Sequence, residues 1–264
     1  MQNNPIGIFD SGVGGLSVLK EIRKILPGES LLYLADSTNC PYGSKTETEA
    51  FELARKSIDF LVDQECKLIV IACNTVTAVA IERFRRMFSV PFVGMEPALK
   101  PAAMKTRSGK IGVLATENTF KGKLFQNTCE KYGAGIEVIA QPGNGLVERV
   151  ENGELDSRET KMLLEKYLKP MLDTGADTLV LGCTHYPFLV PAIRQITGKR
   201  MNIIDPAGAV AAQTRRILEK RNLTIPKSIR PKYRFCTTRR TPVIERFLSG
   251  AMADEQVMVE QVTV

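Results

Sequence analysis

Two cysteines, Cys73 and Cys183, each stand just past an apolar run and just ahead of a polar pair, a placement suited to proton transfer. The first closes Lys67-Leu-Ile-Val-Ile-Ala-Cys73-Asn74-Thr75, the second Thr178-Leu-Val-Leu-Gly-Cys183-Thr184-His185. In an open parallel sheet, ligands bind beyond the carboxyl ends of the strands, where both thiols fall. A helix starting there presents free N–H groups and its positive dipole end, which pull a thiol's pKa from roughly 8.5 toward neutrality. Two such thiols facing one pocket suit a reaction in which one base removes a proton and a second acid returns it on the opposite face. A buried cysteine is also an ordinary core residue. What favours chemistry is the same layout occurring twice, 110 residues apart.

The helpers are few. His185 is the one histidine in the chain and lies two residues after Cys183, where an imidazole can stabilise a thiolate or relay its proton. Asp10-Ser11-Gly12-Val13-Gly14-Gly15 reads as a strand-to-helix turn whose backbone N–H groups can approach an anion. It lacks the spacing of a dinucleotide fingerprint or a P-loop. Asp10 can accept from a substrate ammonium, steer a neighbouring thiol, or simply cap the helix. Pro41-Tyr42-Gly43 sits in the loop after the second strand; its glycine N–H can hold a carboxylate, or the segment is only a turn. With one histidine and no carboxylates at metal-ligand spacing, no metal is expected. Nor is a pyridoxal lysine recognisable, so no cofactor is expected.

These residues need rigid strands behind them, and the hydrophobic pattern supplies them. Strands are read at Pro5–Phe9, Leu31–Ala35, 67–72, 91–94, 110–114, 135–139, 177–181, 201–204 and near 232–235. Helices are read at Val13–Leu26, 47–63, 75–87, near Pro97–Met104, 118–131, near 145–152, 157–173, 187–196, 206–221 and near 241–248. Such alternation means α/β architecture, with parallel sheets covered by helices on both faces. The cycle also restarts. Ile6-Gly-Ile-Phe-Asp-Ser11 matches Ile111-Gly-Val-Leu-Ala-Thr116 at an offset of 105, close to that of the two cysteines. A duplicated pair of domains would face two strand ends across a cleft.

Bulk properties narrow the class. At 264 residues the chain holds ample core material for one large or two small domains. The start carries no basic, apolar leader, and the apolar stretch Leu68–Ile81 is too short to span a bilayer. Cys40, Cys66, Cys129 and Cys236 show no C-x-x-C spacing, so reduced cytoplasmic thiols are expected rather than disulfides or zinc ribbons. The net charge of +7 is concentrated between Arg215 and Arg246, where eleven Lys or Arg face only Glu219 and Glu245. Without a stacking or reader motif this is read as a solvated face, and neither nucleic acid nor membrane is expected as a partner.

Asp10-Ser-Gly-Val-Gly-Gly15, Pro41-Tyr-Gly43, Ala72-Cys-Asn-Thr75 and Gly182-Cys-Thr-His-Tyr-Pro187 together resemble the motif set of the glutamate racemases, in the aspartate/glutamate racemase superfamily. The resemblance implies two pseudo-symmetric flavodoxin-like α/β domains with the active site between them: 1–96, 97–206, and a segment 207–264 returning to the first. It implies cofactor-independent interconversion of L- and D-glutamate, supplying D-glutamate for peptidoglycan. By the same carry-over Cys73 and Cys183 are the acid/base pair, with Cys73 acting on the D enantiomer and Cys183 on the L. Asp10, Glu148 and His185 are auxiliary catalytic groups, Asp10 beside Cys73 and the other two near Cys183. Asp10, Ser11, Tyr42, Gly43, Asn74, Thr75, Thr184 and His185 become substrate contacts. The family varies in quaternary state, homodimers included, so none is carried over. Three competitors stay open: a racemase for aspartate or another acidic amino acid, a cysteine hydrolase or transferase using one thiol with His185, and a basic nucleic-acid-binding module.

Overall fold

A computed structural model of the chain describes residues 2–133, 135–225, 230–252 and 258–264. Its strands are β1 (Ile6–Asp10), β2 (Leu31–Ala35), β3 (Leu68–Ile71), β4 (Phe92–Gly94), β5 (Lys110–Ala115), β6 (Glu137–Pro142), β7 (Thr178–Gly182), β8 (Asn202–Ile204), β9 (Tyr233–Thr237) and β10 (Val259–Gln261). The helices are α1 (Leu16–Ile25), α2 (Glu47–Asp63), α3 (Asn74–Met87), α4 (Leu99–Lys105), α5 (Glu117–Lys121), α6 (Lys123–Tyr132), α7 (Leu146–Glu151), α8 (Arg158–Asp173), α9 (Val190–Thr197), α10 (Ala207–Lys220) and α11 (Pro242–Ala251), with a 3-10 turn at Tyr186–Leu189.

Every strand pairing is parallel, in two sheets ordered β10-β9-β2-β1-β3-β4 and β6-β5-β7-β8. The chemistry of the strands explains this. β1, β2, β3 and β7 are buried from end to end, which suits runs that alternate no polar face and are covered on both sides. The repeat read at Ile6 and Ile111 has a topological counterpart. β2-β1-β3-β4 and β6-β5-β7-β8 are the same order taken twice, so β1 corresponds to β5 and β3 to β7.

After α10 the chain comes back to the first sheet. α10 packs along α1, and β9 pairs with β2 in register Leu31↔Tyr233 through Ala35↔Thr237. Beneath this return, the buried Lys67–Glu29 pair (2.5 Å) is tied to the chain leaving α10. Lys67 Nζ donates to the Leu223 carbonyl at 2.8 Å, and Glu29 accepts from the Ile225 N–H at 3.0 Å. Within the basic segment, Arg234 pairs with Glu260 at 3.0 Å and Arg240 with Glu245.

The expected helix over 118–131 is two helices. At Gly122 an added Cβ would sit 2.7 Å from the Ala78 Cβ of α3, so the break lets the second half of the chain close against the first. β10 was not anticipated, being only three residues long. α1 starts at Leu16 rather than Val13, because the intervening turn is spent on bonds to carboxylates.

Candidate active site

The carboxyl ends of β1, β3, β5 and β7 converge. Cys73 ends the run of β3 and is the N-cap of α3; Cys183 follows β7 and precedes the 3-10 turn. Both thiols line one small cavity together with Ser11, Pro41, Tyr42, Gly43, Asn74, Thr75, Thr116, Val147, Thr184 and His185. Strand-end geometry makes the two halves correspond: Ser11 and Thr116 follow β1 and β5, while Cys73-Asn74-Thr75 and Cys183-Thr184-His185 follow β3 and β7. Cys73 Sγ lies 3.8 Å from Ser11 Oγ. The Thr75 and Thr116 hydroxyls meet at 2.9 Å, and Thr116 meets Thr119 at 2.9 Å, a hydroxyl chain joining the two halves.

On the Cys183 side a relay is in place. Cys183 Sγ is 3.7 Å from His185 Nδ1, and His185 Nε2 is 2.6 Å from Glu151 Oε1. Burial works to pull the imidazole's pKa down, but its hydrogen bonds to Cys183, Cys40 and Glu151 win and raise it well above the usual value. Burial likewise acts to raise the Glu151 carboxyl, yet the same His185 bond and the Val13 N–H bring it below its ordinary range. Both shifts favour the imidazolium–carboxylate form of the pair.

On the Cys73 side burial decides. It pushes the thiol up to about 12, with Asp10 adding repulsion, and the Val76 N–H of the helix start only partly opposes this. The expectation that the helix terminus brings this thiol near neutrality does not hold in the closed cleft, because desolvation of a thiolate costs more than one turn of helix dipole returns.

Seven of the eight expected substrate contacts line the cavity; Asp10 lies behind it. Its carboxylate is fully buried, accepting from the Gly15 N–H at 2.8 Å, the Gly12 N–H at 3.4 Å and Thr184 Oγ1 at 3.3 Å. The three-glycine turn is therefore filled by the protein's own carboxylates, Asp10 and Glu151, rather than open to an external anion. Burial raises the Asp10 pKa. Tyr42 is locked from below, its hydroxyl donating to Asp36 Oδ2 at 2.5 Å, and Asp36 also takes bonds from Asn39 and Thr238. Asn74 Oδ1 is buried without a hydrogen-bond partner.

Glu148, expected near Cys183, is exposed and lines an outer recess of about 230 Å³ with Pro41, Ser44, Glu117 and Asn144, while the carboxylate hydrogen-bonded to His185 is that of Glu151. α7 buries Leu146, Val147 and Val150. Glu151 follows Val147 by one turn and stays at the edge of that face, whereas Glu148 points away from it. That periodicity was the available signal for Glu151. The repeat, which pairs Ser11 with Thr116, was the signal for Thr116.

A family model described as Asp/Glu/Hydantoin racemase matches residues 6–214. A glutamate racemase of Roseiflexus sp. (strain RS-1) is 51% identical over 220 residues, covering 83% of this chain and 81% of that one. The solved glutamate racemase isoform RacE1 of Bacillus anthracis superposes with a TM-score of 0.90 at 31% identity, covering 100% of this chain and 99% of its own. A glutamate racemase from Francisella tularensis, solved in complex with D-glutamate, gives 0.87 at 29% identity, covering 100% and 98%.

Proposed function

We propose, since the chain belongs to the Asp/Glu/hydantoin racemase family, that it interconverts L- and D-glutamate without a cofactor and supplies D-glutamate for peptidoglycan. One observation carries the reading: equivalent strand-end cysteines from the two halves line a single cavity. Cys73 takes the α-proton of D-glutamate and Cys183 that of the L enantiomer, each thiol returning a proton on its own face. Turnover therefore interchanges thiol and thiolate between the two positions.

The developing carbanion needs oriented donors in a site that excludes water. Ser11, Thr75, Thr116 and Thr184 hydroxyls and the Gly43 N–H supply them in this reading, and Asn74 Oδ1 accepts from the substrate ammonium. His185, held by Glu151, stabilises the Cys183 thiolate and takes up or returns its proton. Asp10 holds the glycine turn and Thr184, which puts it among the positioning residues. The enzyme works in the cytoplasm, where its cysteines stay reduced.

The test is incubation with L-glutamate in D₂O with no cofactor added. D-glutamate carrying deuterium at Cα is expected, because the returning thiol exchanges with solvent. Turnover that depends on added pyridoxal phosphate would remove the two-thiol mechanism.

A further inference from the structure

Three metal-binding side chains converge behind His185, on the side away from Cys183. Cys40 comes from the loop after β2, Glu151 from the end of α7 and His185 from the turn after β7. One ligating atom of each lies within 4.8 Å of the other two. The two-thiol reaction makes no use of Cys40, which does not line the cavity between Cys73 and Cys183.

We propose that Cys40, Glu151 and His185 form an inhibitory site for zinc or a similar borderline-soft divalent ion. The idea rests on the reading above, in which His185 serves Cys183. Thiolate, imidazole and carboxylate are the three zinc donor types, and a fourth position stays open to water. Bonds of roughly 2.0–2.3 Å in a tetrahedron put ligand atoms about 3.5 Å apart. His185 Nε2 and Glu151 Oε1, now 2.6 Å apart, would need to part by about 1 Å to reach that spacing.

Gly12 lets the backbone pass directly against the trio, where a Cβ would lie 1.9 Å from Glu151 Oε1 and 3.0 Å from Cys40 Sγ. The trio also reaches solvent without passing the cavity, since Glu151's side chain is 18% exposed and Cys40 is partly exposed, while His185's is 2%. One thiolate and one carboxylate neutralise the dication. Binding releases the Cys40 thiol proton and the imidazole's Nε2 proton to solvent, with no change of oxidation state.

The consequence follows from the two ring nitrogens. A metal on Nε2 leaves the one remaining ring proton on Nδ1, facing Cys183. That imidazole can hydrogen-bond to the thiolate but can no longer pass it the Nδ1 proton and take it back, because giving up that proton would leave an imidazolate. Proton exchange at Cys183 stops, and racemisation with it.

The test uses cobalt(II) as a spectroscopic probe and zinc as the inhibitor. A thiolate-to-cobalt charge-transfer band is expected in the wild type and in a Cys73→Ala/Cys183→Ala double variant, which removes both cavity thiols. It is expected to vanish in Cys40→Ser, which keeps a hydrogen-bonding group but no thiolate. Zinc should inhibit the wild type reversibly on chelation, and Cys40→Ser, measured against its own metal-free rate, should lose at least about tenfold in zinc sensitivity. A band that persists in Cys40→Ser, or equal zinc inhibition of both proteins, overturns the site. The band needs no turnover, so a failure of the glutamate reading would appear in the metal-free assay and leave the band in place.

Discussion

At the residue scale the two halves of the site are chemically unlike although they are topologically alike. Cys183 has the His185 ring 3.7 Å away, whose bonds favour its protonated form, and Cys73 has a hydroxyl at 3.8 Å and burial that favours its neutral thiol. The two thiols cannot replace each other, because they act on opposite faces of one carbon. Cys73→Ala and Cys183→Ala are each expected to lower racemisation by roughly 10²–10⁴-fold or more with the fold intact. Each should still eliminate a leaving group from a suitable glutamate analogue: Cys73→Ala from the L form, Cys183→Ala from the D form. Near wild-type racemisation by either variant would make that cysteine a core residue. The carboxylates separate as sharply. Glu151→Gln keeps an acceptor oxygen at His185 Nε2 but removes its negative charge, and should cost roughly 10²-fold in kcat with KM little changed. Glu148→Gln alters an exposed side chain and should stay within about twofold. Steady-state kinetics on the pair decides between them.

At the element scale, the site is assembled by close approaches that leave no room for a side chain. A Cβ on Gly14 would fall 2.5 Å from both His185 Nδ1 and Thr184 Oγ1. Gly14→Ala should therefore push the β7 turn outward, costing roughly 1–3 kcal/mol in stability and lowering activity together; denaturant unfolding and kcat/KM measure the two. Asp177, just before β7, fixes the loop before β5: Thr106 Oγ1 at 2.6 Å and the N–H groups of Arg107 and Ser108 at 2.7 and 2.9 Å donate to its carboxylate. Burial opposes ionisation, but these bonds hold the pKa at about 2 against an ordinary 3.8. A depressed carboxyl contributes stability above the unfolded value and loses it as pH falls through the folded one. The stability gap between wild type and Asp177→Asn should thus narrow from pH 4 toward pH 2 in unfolding experiments. Nearly all elements were legible in the sequence because parallel strands buried on both faces leave continuous aliphatic runs such as Leu68–Ile71. The cysteines and their polar neighbours were legible because strand ends position them. Glu151 was harder to read: it sits at the edge of a six-residue helix, and its partner is 34 residues away across the fold. The break at Gly122 was hidden too, since its cause is a contact with Ala78 on another helix.

At the scale of the whole molecule, the first sheet is finished by the last part of the chain. A fragment ending after residue 94 lacks α10 and β9, leaving the β2 edge unpaired and the inner face of α1 bare. It should be poorly folded, and a well-dispersed NMR spectrum from it would contradict this dependence. The halves must also separate for turnover. The cavity between the thiols is about 10 Å³, room for about one water, and glutamate is many times larger. Its neighbour, the recess of about 230 Å³, shares Pro41, Gly43, Thr116 and Val147 with it and opens outward. Polar contacts bridge the halves near this mouth, with Thr75–Thr116 at 2.9 Å and Asn118 Nδ2 donating to the Lys45 carbonyl at 2.6 Å. Breaking such bonds exchanges them for bonds to water at small net cost, so opening is accessible, whereas the apolar cluster shared by both sheets holds the rest together. Cys73 and Cys183, 5% and 7% exposed, should then react with iodoacetamide only through the open form. Their modification, followed by peptide mass spectrometry, should be slower than that of the partly exposed Cys129 and slower still under saturating glutamate, which holds the cleft shut around itself. Modification as fast as at Cys129, and unaffected by glutamate, would mean that the substrate reaches the thiols without any movement of the two halves.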